Sequence, residues 1–426
     1  MKLNLLFPCL LLCVAHIDPV RAAENSTNAP ATLRALVQEA LAHNRELQFY
    51  DAELVAARAG ARTAGRLQDL GVSGSVGQKQ SRERGCGPVL GSGVAWNVEL
   101  LQPFEWPGRL GLRKAIANGD VVLAQLGLER FRVALAARVR SQGLTLAGAE
   151  EKAQATRLVA DRFRALREVL VARDPAGIAP QLEIRVLDAT ELGLRRRATE
   201  AELSAAAALQ ELMVLLGRPV DGVLTIASST PPLPPPPSQS VLQAVAATNN
   251  FELRQRAMEL EQQGFRVRLA QNQRWPAFAI GPQVGVENAM ESERKVGLGV
   301  SLPLPLWRNN TASVEAARAR QEQAATQLAV AQRDVERRVA TALNAYDRRR
   351  SELERWTPDS VHEFAQAAQL ADEHYRLGAV PVTTYVELQK QYLEAVDALL
   401  DTRRDALNAA AELEELTGFN LLPVQP

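Results

Sequence analysis

The residues of this 426-residue chain that could carry chemistry are few and scattered. A helical zinc-protease site needs two histidines one turn apart with a glutamate beside the first. His362-Glu363 has glutamine, Gln366, where the second histidine should stand. No Gly-x-x-x-x-Gly-Lys-Ser/Thr phosphate loop and no Cys-x-x-Cys pair occurs. A transition-metal centre wants clustered imidazole or sulfur ligands, but His43, His362 and His374 are far apart and the methionines are isolated. His374 could form a ring only if three copies met on an axis; an ordinary helix-surface histidine is the simpler reading. The expectation is a protein that is not an enzyme and holds no cofactor or metal. Lysine plus arginine and aspartate plus glutamate each number 49. That balance argues against a nucleic-acid partner, which calls for a basic excess.

With no catalytic constellation to position, the elements themselves become informative. Apolar residues make up 46% of the chain but aromatics only 5%, so alanine carries much of the apolar share. Such a composition builds thin helix-on-helix seams more readily than a thick core. At the start, Lys2 and the apolar run Leu3–Ala15 resemble a secretory signal, with Val20-Arg21-Ala22 as cleavage site. Residues 1–22 are therefore expected to be a signal peptide, and Leu12 before Cys13 argues against a lipoprotein signal. Cleavage would leave Cys86 as the lone thiol, without an intramolecular disulfide. No other segment has 18 consecutive apolar residues. Any entry into a membrane must be made by strands.

The chain is written twice. Asn44, Glu46, Leu47, Leu54 and Arg62 match Asn250, Glu252, Leu253, Leu260 and Arg268, each 206 positions later. Further on the offset is 201, pairing Trp106 with Trp307, Phe163 with Phe364, Gly177 with Gly378, Pro180 with Pro381 and Gly217 with Gly418. The first repeat covers 23–218 and the second 241–420, with a Pro-rich linker over 219–240 and a tail over 421–426. The run Pro231–Pro237 favours an extended, stiff conformation.

Each repeat shows the same order. A first helix is predicted over Thr32–Leu67, and its counterpart over Val241–Gln273. Alternation with period two then marks β-hairpins over about 71–101 and 277–305, with Pro282 predicting a bulge or an edge position. A long helix, about Arg109–Ala172, follows; its counterpart breaks at Trp356-Thr357-Pro358, where Thr357 suits a cap and Pro358 the first helical position. After a glycine turn, final helices run over about Pro180–Leu216 and Val382–Leu416, closed by Gly217 and Gly418.

Strands near ten residues long suit a tilted bilayer crossing. Four cannot close a barrel, and open sheet edges are not tolerated in lipid. If the strands are in a membrane, several chains must share one barrel. The alternative is a soluble periplasmic coiled-coil or adaptor-like interaction protein carrying two small hairpins, although no lipoyl-like β domain is visible.

The duplicated helix–hairpin–helix–turn–helix order resembles the outer-membrane efflux protein family, the TolC-like channels, over essentially the whole mature chain. His43-Asn44-Arg45-Glu46-Leu47 is similar to the family's opening motif, with Arg45 in place of the common proline. Gln102–Arg109 and Leu302–Asn310 resemble the strand-to-helix passages of its CzcC-like, heavy-metal cation branch, and Tyr375-Arg376-Leu377-Gly378 its second tip turn. The resemblance implies an α-helical barrel continuing a transmembrane β-barrel, twelve strands completed by a homotrimer in the outer membrane of a Gram-negative bacterium. It implies a periplasmic adaptor and an inner-membrane pump of the resistance-nodulation-division type as partners, with passive conduction of cargo, heavy-metal cations on the branch resemblance and otherwise organic compounds. It also implies a constriction or gate at Tyr375 and Glu387, and tip turns meeting the adaptor at Gly177, Ile178, Arg376, Leu377 and Gly378. Asp174-Pro175 departs from the usual first turn.

Overall fold

The computed structural model describes residues 30–82, 88–173, 178–227, 233–289, 291–303, 310–356, 360–419 and 421. The signal segment, Cys86, Gly177, Trp307, Thr357 and Pro358 lie outside them.

The predicted first helix is two. α1 (Leu33–His43) stops and α2 (Arg45–Ala64) starts at Asn44, whose extended backbone cannot continue a helix. Asn44 Oδ1 accepts from the Glu46 amide at 2.8 Å, satisfying one of the free donors of α2. The hairpin β1 (Gly71–Arg82) and β2 (Val89–Phe104) follows. Then comes α3 (Arg109–Arg173), 65 residues without a break and about 97 Å long at 1.5 Å per residue. α4 (Ile178–Leu216) packs back along it. The second half repeats the order with α5 (Gln239–Asn249), α6 (Phe251–Asn272), β3 (Phe278–Asn288), β4 (Ser292–Ser301), α7 (Thr311–Glu354), α8 (Ser360–Arg376) and α9 (Val382–Thr417). Asn250 breaks its first helix as Asn44 does.

Glycines end the return helices. Gly217 adopts φ +72°, and Arg218 N reaches back to Met213 O at 3.0 Å in a Schellman closure. Gly418 adopts φ +66° with its amide on Glu414 O. The linker is docked as well as stiff: the buried Tyr346 of α7 donates its phenol to Pro234 O at 2.6 Å, and Leu233 packs on the core of the second repeat.

The cores are thin and separate. Leu36, Leu47, Val139, Leu212 and Leu216 centre one beneath the first repeat; Leu242, Val335, Val339 and Leu413 centre its counterpart. A third, around Phe163, Leu187 and Tyr385, sits at the far end, where α3, α4, α8 and α9 come together.

The four strands form one antiparallel sheet in the order β1-β2-β3-β4. Pro282 corrects an expectation, since it lies in an interior strand with no register shift. β3 pairs β4 continuously through Pro282↔Leu298. On the other side, pairing with β2 lapses after Glu99↔Gln283 and resumes in the same frame at Gln102↔Ile280. The proline therefore sits in a gap of the ladder, where a missing N–H costs no sheet bond. Gly281 beside it is required by close approach, because a Cβ there would collide with the Leu100 carbonyl.

Candidate functional site

The sheet has two unlike faces, because side chains alternate and directly paired residues share a side. The row Gly74–Val98–Val284–Val296 is apolar, as are Val72–Leu100 and, up to Arg294 on β4, Val76–Trp96–Val286. Val76, Val296 and Val72 are 81%, 82% and 70% exposed. A contiguous apolar face of this size needs a non-aqueous neighbour. The opposite face carries Ser73–Glu99–Gln283–Gly297, Ser75–Asn97–Gly285–Lys295 and Gly77–Ala95–Glu287–Glu293. Apolar toward lipid and small or polar toward a lumen is the pattern of a membrane barrel wall.

Near the far end of the hairpins the polar face is tied by ions. Lys79 of β1 reaches over β2 to Glu287 at 2.6 Å and to Glu293 at 3.2 Å, and Lys295 also meets Glu287. Lys79 pairs directly with Gly93, whose missing side chain leaves that path open. The outer sides of β1 and β4 have no strand partner among the described residues. At the opposite, helix-bearing end, Phe104 stacks on Phe278 and Trp106 on Trp275, with centroids 5.7 and 5.0 Å apart.

At the far tip of the helices, the predicted gate residues are brought to one end but not to one surface. Tyr375 is buried, stacks on Tyr385 at 5.3 Å and donates its phenol to Glu183 Oε2 at 2.7 Å. Burial, together with the hydrogen bond to Glu183, holds that phenol well above its ordinary pKa. Tyr385 is raised in the same direction, chiefly by burial and then by the charge of Asp372. Glu387 is exposed on α9 and accepts from Gln391 at 3.1 Å. Gly378 turns the chain at φ +72°, with Ala379 N on His374 O at 2.9 Å. Leu377 is 81% exposed, and Arg376 pairs with Asp372 at 3.0 Å. Ile178 opens α4. Sequence reasoning missed Glu183 and Tyr385; the only signal was the i, i+10 spacing of two tyrosines across a glycine turn, which specifies no contact by itself.

His362 meets Gln366 at 2.8 Å. Among the described residues no three His, Cys, Asp or Glu side chains converge as a metal site. None of the described helices is long and apolar enough to cross a membrane, so the sheet is the element with a lipid-compatible surface.

Residues 242–419 match the model of the outer membrane efflux protein family. That match spans the second repeat, which is similar to members of the outer membrane efflux protein family. The pyoverdine export outer membrane protein OpmQ of Pseudomonas aeruginosa is 23% identical over 407 residues, covering 91% of this chain and 85% of that protein. A crystal structure of a membrane protein from Pseudomonas aeruginosa superposes with TM-score 0.76 at 20% identity, covering 91% of this chain and 92% of that one. The Campylobacter jejuni CmeC outer membrane channel does so with TM-score 0.73 at 15% identity, covering 99% and 95%. The fold of this chain is thus that of a TolC-like channel subunit, a long helical part joined to a four-stranded β part. These likenesses support a channel component rather than an enzyme or a soluble adaptor-like protein.

Proposed function

We propose that three copies of this chain form one outer-membrane conduit, which receives cargo from an inner-membrane pump through a periplasmic adaptor. The observation that carries this reading is the four-stranded sheet with an apolar face and two unpaired edges. Unpaired backbone groups in lipid cost several kcal/mol each (about 2–7), so β4 of one copy must meet β1 of the next until the ring closes. Twelve strands, four from each copy, would give a wall around an open lumen.

Conduction is passive, and the pump supplies the energy. The tip, with Tyr375 and Glu387 at the constriction and Gly177, Ile178, Arg376, Leu377 and Gly378 in the turns that meet the adaptor, would hold the resting channel shut. The Tyr375–Glu183 hydrogen bond ties α8 to α4 and so joins the two tip turns. Tyr375→Phe removes only the phenolic oxygen; reconstituted in planar bilayers, it should open more often than the unaltered channel. Equal opening would remove Tyr375 from the gate.

The resemblance of the strand-to-helix passages to the CzcC-like branch supports heavy-metal cations as cargo and a pump of the resistance-nodulation-division type. A second reading, an organic cargo, is supported by the relative that exports pyoverdine. A toxicity panel on a deletion strain separates them, with zinc, cobalt, cadmium, nickel, copper and silver set beside dyes, detergents and antibiotics. Selective metal sensitivity, rescued by the intact gene but not by one altered at the tip, supports the first. Normal metal tolerance with sensitivity to organic compounds overturns it.

A further inference from the structure

At the foot of the sheet the even charge balance of the chain breaks down. Residues 58–68, 106–119 and 262–275 hold nine arginines and lysines and not one aspartate or glutamate, although the whole chain has 49 of each sign. These segments come together where α2 ends, α3 begins and α6 ends: Asn272 accepts from Arg109 Nε at 3.1 Å, and Gln262 donates to Ile116 O at 3.0 Å. Asp69 and Glu261 lie just outside these segments, while Glu105 pairs with Arg113 at 2.9 Å and Asp120 accepts from Gln262 at 2.6 Å.

Within this collar a groove opens between α2 and α3, lined by Arg62, Gly65, Leu110, Gly111, Lys114 and Asn118. Arg62 and Lys114 are exposed and engage no carboxylate among the described residues. There is open space beside the glycines: a Cβ on Gly111 would meet nothing within 4 Å, and one on Gly65 would only touch Lys114 at 3.7 Å. Its height along the molecule is set by the sheet. The apolar face ends at Phe104 and Phe278, the stacked indoles of Trp106 and Trp275 come next, and α3 begins three residues beyond Trp106. Aromatic side chains of this kind mark the boundary between hydrocarbon and headgroups, so the groove lies at the level of phosphates in the periplasm-facing leaflet.

We infer that this groove binds the phosphate of an anionic phospholipid, held between the Arg62 guanidinium and the Lys114 ammonium. Guanidinium and ammonium groups are suited to phosphate oxygens, and an anionic leaflet attracts each added cation by about fivefold in affinity. The inference rests on the membrane placement of the sheet.

The test uses the full chain in nanodiscs of phosphatidylethanolamine, alone or with a minor share of phosphatidylglycerol, with retained lipid read by native mass spectrometry after transfer to detergent. Incorporation into both kinds of disc reports the membrane placement independently of the lipid preference. Phosphatidylglycerol should be retained selectively, and Arg62→Gln with Lys114→Gln should reduce that selectivity by about 25-fold, two charges at about fivefold each. Arg130→Gln with Arg333→Gln, two exposed cations away from the collar, should leave it unchanged. Equal retention by the collar variant and the unaltered chain would overturn the inference. Release of the lipid by inorganic phosphate would also overturn it, making the groove an ion site. So would altered anion conductance with unchanged lipid retention, which would place the groove on the lumen.

Discussion

Asn44 and Asn250 stand 206 positions apart and make the same bridge. Each side-chain oxygen caps a new helix, accepting from Glu46 N at 2.8 Å and from Glu252 N at 3.0 Å. Each side-chain nitrogen donates to the end of a returning helix, Leu215 O and Leu416 O, both at 2.9 Å. One amide thus satisfies a free donor at a helix start and a free acceptor at another helix end. Both asparagines are buried, so the second bond cannot be replaced by water at no cost.

Asn44→Ala should therefore cost more than a simple cap, about 2–3 kcal/mol against the roughly 1 kcal/mol of a cap alone. Asn44→Ser, which keeps the cap oxygen and loses the tether to Leu215, should fall between. The two repeats have separate cores, so the losses from Asn44→Ala and Asn250→Ala should add. Denaturant unfolding of the detergent-purified chain measures all of these, and strong non-additivity would show that the repeats are coupled.

Gly217 and Gly378 share φ +72° but not their surroundings. A Cβ on Gly378 meets nothing within 4 Å, whereas one on Gly217 would lie 2.7 Å from His43 O. Alanine at Gly378 should cost only the left-handed backbone term of about 1–2 kcal/mol. At Gly217 the clash adds to it, and the α1–α4 contact must shift. Melting temperatures should rank Gly217→Ala well below Gly378→Ala.

Val76 and Ser75 are neighbours on opposite faces of β1. Arginine on a lipid-facing position costs about 2–4 kcal/mol near the bilayer midplane, but little on a lumen-facing one. Val76→Arg should reduce the outer-membrane yield of assembled protein while Ser75→Arg leaves it near normal. A lower yield for Ser75→Arg than for Val76→Arg would mean that the faces are assigned the wrong way round, and equal yields that neither faces lipid.

Glu150 on α3 is half-buried, and loss of water around its carboxylate raises its pKa. A carboxyl raised on folding favours the folded state when protonated, so its contribution is lost as pH rises through the raised pKa. Glu150→Gln should then modestly stabilise the helical part at pH 7–8. The difference should vanish below the ordinary glutamate range, near pH 4. Thermal melts across pH provide the check, and a stabilisation that persists in acid would point to packing instead.

Legibility followed the range of the forces involved. Strand alternation, the long α3 and the glycine stops at Gly217 and Gly418 are encoded within a few residues, and they are present as read. The split at Asn44 was missed because α1 and α2 together carry a continuous helical pattern. What ends the first is a tether to Leu215, 171 positions away. Pro282 was misjudged for a related reason: a proline is compatible with an interior strand once the neighbouring ladder has a gap, and that gap depends on β2.

By itself, the sequence determined that the chain is a duplicated helix–hairpin repeat without catalytic chemistry, since composition, period and spacing are local properties that survive without a partner. Tertiary structure alone decided that the two hairpins join into one sheet through β2 and β3. It also decided that Tyr375 binds Glu183 and that Arg62 and Lys114 flank one groove. Those relationships link residues up to about 200 positions apart. Their energy comes from burial and from hydrogen bonds that exist only when distant segments meet, and no short-range pattern records where that happens.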